Sequence, residues 1–354
     1  MLGRTDRYER FLRVAWALEQ AALLGALAVL VWRAPRLARG TGLGPIGAGV
    51  IVGMVMLVVV WAVELPFGLA VQWWDRRHGL SHLDYLESIL APWAELGGSV
   101  VFAMFTIVLV MWLARRLGRA WWVAGGPAFV AIAVLFAFVA PYLLAPTVEP
   151  VRDPALRAEI GVLEREIGTG EIRVDVYPAG EETTVANAFA AGLGPTTRVV
   201  LFDTLLDGRF AFGEVRFVAA HELGHVARDH LWKGLAWYAL FALPGAFLIA
   251  WVTEWRGGLG DPALVPLGAL VLVVLQLVLL PVGSAITRRY EGEADWIALE
   301  ATRDPGSARR LFVRFAPTSL EQPRPPGWSH VLLDSHPTLM QRIAMVEAWA
   351  AREP

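Results

Sequence analysis

Residues 120–148 read AWWVAGGPAFVAIAVLFAFVAPYLLAPTV and contain no charged side chain. A helix needs about 20 predominantly apolar residues to cross the hydrocarbon core of a bilayer. This stretch therefore predicts a membrane-spanning helix, and it places the chain among helical membrane proteins.

Five further blocks have the same character, although the first of them carries Glu19 near its start. Because each block approaches the length of a membrane span, the sequence predicts six membrane helices in all. Tryptophan is frequent at the ends of the blocks, as is typical of the bilayer interface. The five blocks cover residues 14–32, 45–63, 97–113, 234–253 and 262–287.

The overall composition agrees with this reading and excludes several functions. Hydrophobic residues make up 56% of the chain and charged residues 18%, against about 45–50% and about 25% in average soluble domains. The net charge of -2 provides no basic field for nucleic acid, so no nucleic-acid partner is expected. The absence of cysteine excludes disulfides and thiolate metal sites. Any metal must therefore be held by His, Asp or Glu.

The spans divide the chain into four predicted segments. An N-terminal membrane domain contains four spans, and a polar α+β segment follows it. A transmembrane hairpin of two spans then leads into a polar C-terminal segment. The boundaries are residues 1–148, 149–233, 234–287 and 288–354.

The first polar segment combines helical and strand-like patterns. Asp153-Pro154 is an N-cap followed by proline at the first helical position, and apolar residues then recur at helical spacing. Alternating or apolar runs predict strands, and a last helix is predicted to run without interruption into the fifth span. The strand-like runs lie at 172–176, 185–191 and 198–202, and the last helix at about 213–230.

The sharpest motif is His221-Glu222-Leu223-Gly224-His225. Positions i and i+4 share one face of a helix, so both imidazoles can reach a single ion. Glu222 is then placed as the general base for a metal-bound water. His230 follows five residues after His225, and on a continuous helix it would point away from the ligand face.

A third ligand is expected after the sixth span. Glu291 and Asp295 are four residues apart on one helical face, so Glu291 can bind the metal while Asp295 supports a ligand imidazole. Glu293 is the weaker alternative, since it would leave Asp295 off that face. Because two spans separate the His pair from Glu291, the chain returns to the side that it left, and all three ligands emerge together.

Two imidazoles, one carboxylate and an open fourth position suit zinc. The expected cofactor is one zinc ion per chain, held by His221, His225 and Glu291. The expected chemistry is hydrolysis, in which Glu222 accepts a proton from the water that attacks the scissile carbonyl.

Seven short motifs, in order along residues 45–343, make the chain resemble the type I CAAX prenyl proteases, a family of integral-membrane zinc metallopeptidases, and their bacterial relatives. They are Leu65-Pro66-Phe67, Arg77-His78-Gly79-Leu80-Ser81, Ala145-Pro146, Asn187-Ala188-Phe189, Val200-Leu201-Phe202-Asp203-Thr204-Leu205, Arg288-Arg289-Tyr290-Glu291 through Asp295, and Ser335-His336-Pro337 with Arg342.

The resemblance implies a cage of membrane helices around a chamber, with an inserted zincin-like (gluzincin) α+β catalytic domain whose zinc site faces the chamber. It also implies that the strand with Asn187, Ala188 and Phe189 aligns the substrate backbone by strand addition. His336 and Arg342 would hold the oxyanion or the substrate carbonyl. The expected partners are peptides or proteins, some of them membrane-associated, and the lipid bilayer.

Three departures from the family pattern affect the choice of substrate. Six spans are predicted where the prenyl proteases have seven, Gly292 replaces an aromatic residue, and Phe189 replaces a tyrosine. The main prediction is therefore a membrane zinc endopeptidase similar to CAAX prenyl protease 1. The alternatives are a quality-control protease like HtpX and a non-catalytic zinc-binding scaffold or transporter.

The charged ends of the spans bear on orientation. Four arginines precede the first span and favour a cytoplasmic N-terminus by the positive-inside rule. Arginines after the first and third spans would then lie outside, so the two sides differ little in their number of arginines. The sequence predicts a multi-pass cell-membrane protein with the catalytic segment on the cytoplasmic side.

Overall fold

The structure is a computed structural model that describes residues 2–90 and 93–352. The predicted segments 1–148 and 288–354 therefore lie partly outside the described residues, at positions 1, 91–92 and 353–354. Helices dominate the described residues, and a small sheet interrupts them. The helices are α1 Leu2–Gly40, α2 Pro45–His78, α3 Tyr85–Leu90, α4 Trp93–Leu117, α5 Trp121–Leu144, α6 Pro154–Ile167, α7 Asp203–Leu206, α8 Phe212–Ala227, α9 His230–Glu254, α10 Val265–Thr302, α11 Pro305–Thr318, α12 Gly327–Leu332 and α13 Leu339–Ala350.

Five continuous helical stretches in the described residues are long and apolar enough to cross a membrane. The sequence predicts six spans, and the difference lies in the stretch Val100–Thr147, which covers most of both predicted spans 97–113 and 120–148. The turn Gly118–Ala120 divides this stretch into α4 and α5, and Gly118 has a left-handed φ of 55°. The other stretches are Gly3–Gly40, Pro45–His78, His230–Glu254 and Pro262–Thr302.

The contacts of α4 and α5 show that these two helices run in opposite directions. Along α2, Gly49 lies against Met111 and the later Gly53 lies against the earlier Ile107, so α4 is antiparallel to α2. Along α5, Trp122 contacts Phe247, whereas Gly126 contacts the earlier Leu243. Helix α5 is therefore antiparallel to α9. Helix α2 ends beside the inserted segment, where Leu80 pairs with Thr184, and α9 begins there, so α4 leaves that side and α5 returns to it.

The membrane helices expose large apolar side chains. Phe136 in α5 and Val278 in α10 are both 64% exposed, and Leu240 in α9 is 57% exposed. Apolar patches of this extent are rare on soluble monomers and suit contact with lipid.

The inserted segment forms a four-stranded mixed sheet in the order β1-β2-β4-β3. Strands β2 and β4 are parallel, and the two outer strands are antiparallel to their neighbours. The predicted strand 185–191 is shorter in the structure and begins at Ala188. The strands are β1 Glu149–Pro150, β2 Arg173–Tyr177, β3 Ala188–Ala191 and β4 Arg198–Phe202.

One apolar core joins this sheet to the C-terminal helices. Leu201 of β4, Leu223 of α8, Leu299 of α10 and Phe312 of α11 are at most 1% exposed and belong to a single cluster. Helix α6 begins at Pro154 as the sequence predicts, and the Asp153 carboxylate accepts the N–H of Ala155. Because α8 and α10 both pack in this core, the two motif-bearing helices are fixed against each other.

The prediction of one uninterrupted helix from about 213 into the fifth span is wrong in one respect, because α8 ends at Ala227. Asp229 has a left-handed φ of 52°, and a new helix, α9, begins at His230. A non-glycine residue in this region is uncommon, and neither glycine nor proline marks the break. The break changes where His230 lies.

Candidate active site

The two motif-bearing helices approach each other closely at Gly224. A Cβ atom at this position would lie 3.3 Å from both Cα and the carbonyl oxygen of Ala294 on α10, so glycine permits the close contact. Helix α8 starts with a capping contact in which the buried Glu214 carboxylate accepts the N–H of Ala211. The first imidazole of the motif therefore projects from a well-anchored helix towards α10.

The side chains of His221, His225 and Glu291 converge on one point. The two Nε2 atoms are 3.1 Å apart, and the Glu291 carboxylate oxygens lie 3.2 Å from His221 Nε2 and 3.5 Å from His225 Nε2. One ligand atom from each residue lies within 4.8 Å of the other two. The structure thus brings together the three residues that the sequence predicts as ligands.

The chemistry of these atoms fits a bound cation. Glu291 Oε2 is buried and makes no hydrogen bond within the described residues, although two imidazole nitrogens are close to it. Burial lowers the pKa of His221, but the carboxylates of Asp295 and Glu291 more than reverse this and raise its pKa to about 10. The surroundings therefore favour positive charge at this point, as a site for Zn²⁺ requires.

Asp295 supports His221 from the side opposite the cluster. Its Oδ1 lies 2.9 Å from His221 Nδ1, and Arg342 donates to both of its oxygens at 2.5 and 2.7 Å. Arg342 lies in the first turn of α13, which is capped by Thr338. Its guanidinium lies over the Phe312 ring. The sequence places Arg342 at the oxyanion, whereas its contacts in the structure are with Asp295, and a direct contact to the oxyanion stays a prediction.

Glu222 lies beside the cluster and faces a cavity of about 960 Å³. The residue is only 7% exposed. Burial raises the pKa of its carboxyl above the ordinary value, while His221 and His225 oppose that effect. A buried carboxylate next to a water-accessible cavity is the position that a general base needs.

His336 lies at the rim of the same cavity. Its Nε2 is 3.1 Å from Glu291 Oε2, and its side chain is 52% exposed. The loop that carries it is tied to α10, because Arg288 donates to the carbonyl oxygens of His330 and Asp334, each at 2.7 Å. Arg288 therefore supports the site. The sequence analysis names it only as part of the motif that contains Glu291, without a role of its own.

The edge strand β3 lines another wall of the cavity. Asn187, Ala188 and Phe189 all face it, and among the described strands β3 pairs only with β4. Asn187 is exposed, and its side-chain oxygen accepts the N–H of Ala188 at 2.9 Å. The free edge of the sheet is therefore turned towards the metal-binding cluster.

His230 and Glu293 occupy positions that the sequence does not predict. His230 Nδ1 lies 3.0 Å from His225 Nδ1, because the break at Asp229 turns His230 back towards the motif. Glu293 contacts His230 and Arg228 and does not belong to the three-residue cluster. No periodicity signals this arrangement, since it depends on the left-handed Asp229.

Comparison with known proteins also indicates a metalloprotease. Residues 150–350 match peptidase family M48. The chain is 30% identical over 285 residues to the uncharacterized metalloprotease YhfN of Bacillus subtilis (strain 168), a match that covers 75% of this chain and 67% of that protein.

Two further relatives represent the two protease types considered from the sequence. A CAAX prenyl protease 1 homolog of Oryza sativa subsp. japonica is 24% identical, with 82% of this chain and 71% of that protein covered. A protease HtpX homolog of Acaryochloris marina is 28% identical, with 55% of this chain and 72% of that protein covered.

The fold has a counterpart among solved structures. The crystal structure of S. mikatae Ste24p superposes with a TM-score of 0.77 at 18% identity, covering 86% of this chain and 77% of that chain. This likeness confirms the helical membrane cage with an inserted domain. Peptidases of this family are in general zinc-dependent and act on peptides or proteins. The chain belongs to peptidase family M48 and is a multi-pass membrane metalloprotease.

Proposed function

We propose that the protein is a zinc endopeptidase that hydrolyses peptide bonds in peptides or membrane-associated proteins. One zinc ion per chain is held by His221, His225 and Glu291. The observation that carries this proposal is the convergence of two imidazoles and one carboxylate within 4.8 Å, with Glu222 buried beside them at the cavity wall.

The residues around the cluster have distinct roles in this proposal. When bound, zinc would polarise the scissile carbonyl and acidify a water molecule. Glu222 accepts the proton of that water and later delivers it to the leaving amine. His336, whose Nε2 points at the cluster from the cavity rim, donates to the carbonyl oxygen as negative charge develops there. Asp295 holds His221, and Arg342 holds Asp295.

The substrate backbone binds along β3 as an added strand. Phe202 N donates to Asn187 O, so residues 187, 189 and 191 point their polar groups at β4. In an antiparallel ladder the intervening residues then direct their N–H and C=O groups outwards. The N–H and C=O groups of Ala190 and the carbonyl of Ala188 are therefore available for an extended peptide, whereas the N–H of Ala188 donates to the Asn187 side chain.

We further propose that the protein is closer to the prenyl-protease type than to the HtpX type. Support comes from the extent of the matches, since the CAAX prenyl protease 1 homolog aligns over 82% of this chain and the HtpX homolog over 55%. The cavity also has an apolar wall formed by Trp237, Phe241 and Ile286. Such a wall suits a substrate with a large apolar group near the scissile bond. An HtpX-like role on damaged membrane proteins is the second candidate.

We also propose that the catalytic domain lies on the cytoplasmic side. The N-terminal end of α1 lies on the domain's side, because Arg4 donates to the carbonyl of His78 and the adjoining Leu80 pairs with Thr184. The positively charged residues Arg4, Arg7, Arg10 and Arg13 therefore lie there as well, which the positive-inside rule associates with the cytoplasm.

The decisive experiment compares the wild type with Glu222→Ala. The purified wild type is expected to contain about one zinc per chain, and the variant is expected to keep the zinc and lose cleavage. Comparing membrane-protein fragments from cells that carry either protein would then identify the substrates. Undiminished cleavage by Glu222→Ala would contradict the assignment of the base, and accumulation of misfolded membrane proteins alone would favour the HtpX-like role.

A further inference from the structure

The second imidazole of the motif has an unexpected neighbour on the side away from the metal-binding point. His225 presents Nε2 to His221 and Glu291, while its Nδ1 lies 3.0 Å from His230 Nδ1. His230 is 6% exposed and is the first residue of α9. The left-handed Asp229 turns it into this position.

His230 is itself held on two further sides. Its Nε2 lies 3.3 Å from Glu293 Oε2, and Arg228 donates to the other oxygen of that carboxylate at 2.5 Å. The Tyr290 ring stacks on the imidazole with centroids 4.4 Å apart and an angle of 15° between the planes. A buried side chain with this many oriented contacts is fixed in both position and ring orientation.

Only one arrangement of protons satisfies these contacts when His225 binds a metal through Nε2. His225 must then carry its proton on Nδ1, and that N–H donates to His230 Nδ1. His230 consequently carries its proton on Nε2 and donates it to Glu293. The reverse arrangement would place a proton on the metal-facing nitrogen of His225 and would set a nitrogen lone pair against the Glu293 carboxylate.

We infer that His230 and Glu293 are positioning residues that hold His225 in the tautomer and orientation required for zinc binding; this inference rests on the proposed metal site. The two ligand histidines are thereby supported in different ways. Asp295 supports His221 directly, whereas Glu293 supports His225 through one intervening imidazole. Each carboxylate is in turn held by an arginine, Arg342 or Arg228. Loss of such a support typically costs about 10- to 100-fold in metal affinity.

The test measures the zinc affinity of the metal-free full-length protein by competition with a chelator, together with the visible absorption spectrum of the Co²⁺ form. His230→Phe keeps a ring for stacking on Tyr290 but removes the acceptor, and it is expected to weaken zinc binding about 10- to 100-fold and to shift the Co²⁺ spectrum. His230→Asn restores an amide oxygen near the Nδ1 position, so its affinity should return to within a few-fold of wild type.

Two further variants separate positioning from folding. Glu293 is partly exposed, so Glu293→Ala is expected to fold and still lose several-fold in zinc affinity. Glu300→Ala is the matched control, because it removes an exposed carboxylate from the same helix outside the His225–His230–Glu293 contacts, and its zinc affinity should remain close to wild type.

The outcomes distinguish this inference from the proposed function. Wild-type zinc affinity and an unchanged Co²⁺ spectrum in both His230→Phe and Glu293→Ala would overturn the positioning role while leaving the metal site standing. Failure of the wild type to bind zinc at about one ion per chain would instead overturn the proposed function itself.

Discussion

At the scale of single residues, the contact between Asp295 and Arg342 decides how firmly the first imidazole is held. Both side chains are buried, at 0% and 7% exposure, and the guanidinium donates to both carboxylate oxygens. Removing one partner of a buried ion pair typically costs about 3–5 kcal/mol, because the other charge is left unpaired. The pair therefore affects both folding stability and the metal site.

We expect Asp295→Leu to lower the thermal stability of the protein and to weaken zinc binding about 10- to 100-fold. The double variant Asp295→Leu with Arg342→Met tests the two effects separately. It removes both buried charges, so stability should recover, while His221 Nδ1 still lacks an acceptor and zinc affinity should stay low. Thermal melting and chelator competition in the same detergent would measure both, and recovery of zinc affinity in the double variant would contradict the role of Asp295.

Glu321 gives a pH-dependent prediction. Burial raises the pKa of its carboxyl to about 6, from an ordinary value of 4.5. The folded state then holds the proton more tightly than the unfolded state, so stability falls as pH rises from about 4.5 to about 6. The expected loss above that range is at most about 2 kcal/mol, at about 1.4 kcal/mol per pKa unit.

Glu321→Gln removes this loss, so we expect it to raise the melting temperature at pH 7.5 by a few degrees and to change it little at pH 4.5. Glu166→Gln changes an exposed carboxylate on α6 and serves as the control. An equal shift at both pH values would show that the gain comes from packing and not from ionisation.

At the scale of secondary-structure elements, the sequence predicts α8 and α10 well because their chemistry follows helical spacing. His221 and His225 share a face, as do Glu291 and Asp295, and the packing of the two helices at Gly224 brings the faces together. The break between α8 and α9 could not be predicted in this way. It depends on a positive φ at Asp229, a conformation that tertiary contacts impose against the local preference of a non-glycine residue.

The edge strand β3 carries the prediction about substrate alignment. Ala190 lies at a position whose N–H points away from β4, so Ala190→Pro removes one outward donor and preserves the ladder with β4. A lost hydrogen bond of about 1–1.5 kcal/mol corresponds to about a tenfold rise in KM. Zinc content should not change.

Ala190→Ser keeps the N–H and serves as the matched control, and its KM should stay near that of the wild type. Peptide substrates methylated on alternate backbone nitrogens offer an independent measurement. Strand addition predicts that methylation at every second position blocks cleavage while methylation at the neighbouring positions does not. Equal sensitivity at all positions would contradict an added strand.

At the scale of the whole molecule, the membrane helices act as a frame that brings both halves of the site to one side. Helices α9 and α10 cross in opposite directions between the His pair and Glu291, so the ligands meet without a long loop. The number of ligand-bearing elements and their common side follow from the sequence. The arrangement of the helical cage does not, because it depends on how α1, α2, α4 and α5 pack against one another and against α9 and α10, and apolar blocks carry little information about their neighbours.

The absence of cysteine makes the side of the membrane on which the catalytic domain lies directly testable. Single cysteines can be introduced into an otherwise thiol-free chain without further changes. Leu43 follows α1 and is 55% exposed, and Arg256 follows α9 and is also exposed, so both lie at the end of the membrane helices opposite the catalytic domain. Arg152, with an exposed side chain, lies in the catalytic domain itself.

With the catalytic domain in the cytoplasm, a membrane-impermeant maleimide should label Leu43→Cys and Arg256→Cys in intact cells. Arg152→Cys should react only after the membrane is permeabilised. The expectation follows from the four arginines at the start of α1, which lie beside the catalytic domain and which the positive-inside rule favours on the cytoplasmic side. Labelling of Arg152→Cys in intact cells, with Leu43→Cys protected, would reverse the orientation. The substrates would then have to be sought among peptides outside the cytoplasm, although the chemistry at His221, His225 and Glu291 would be the same.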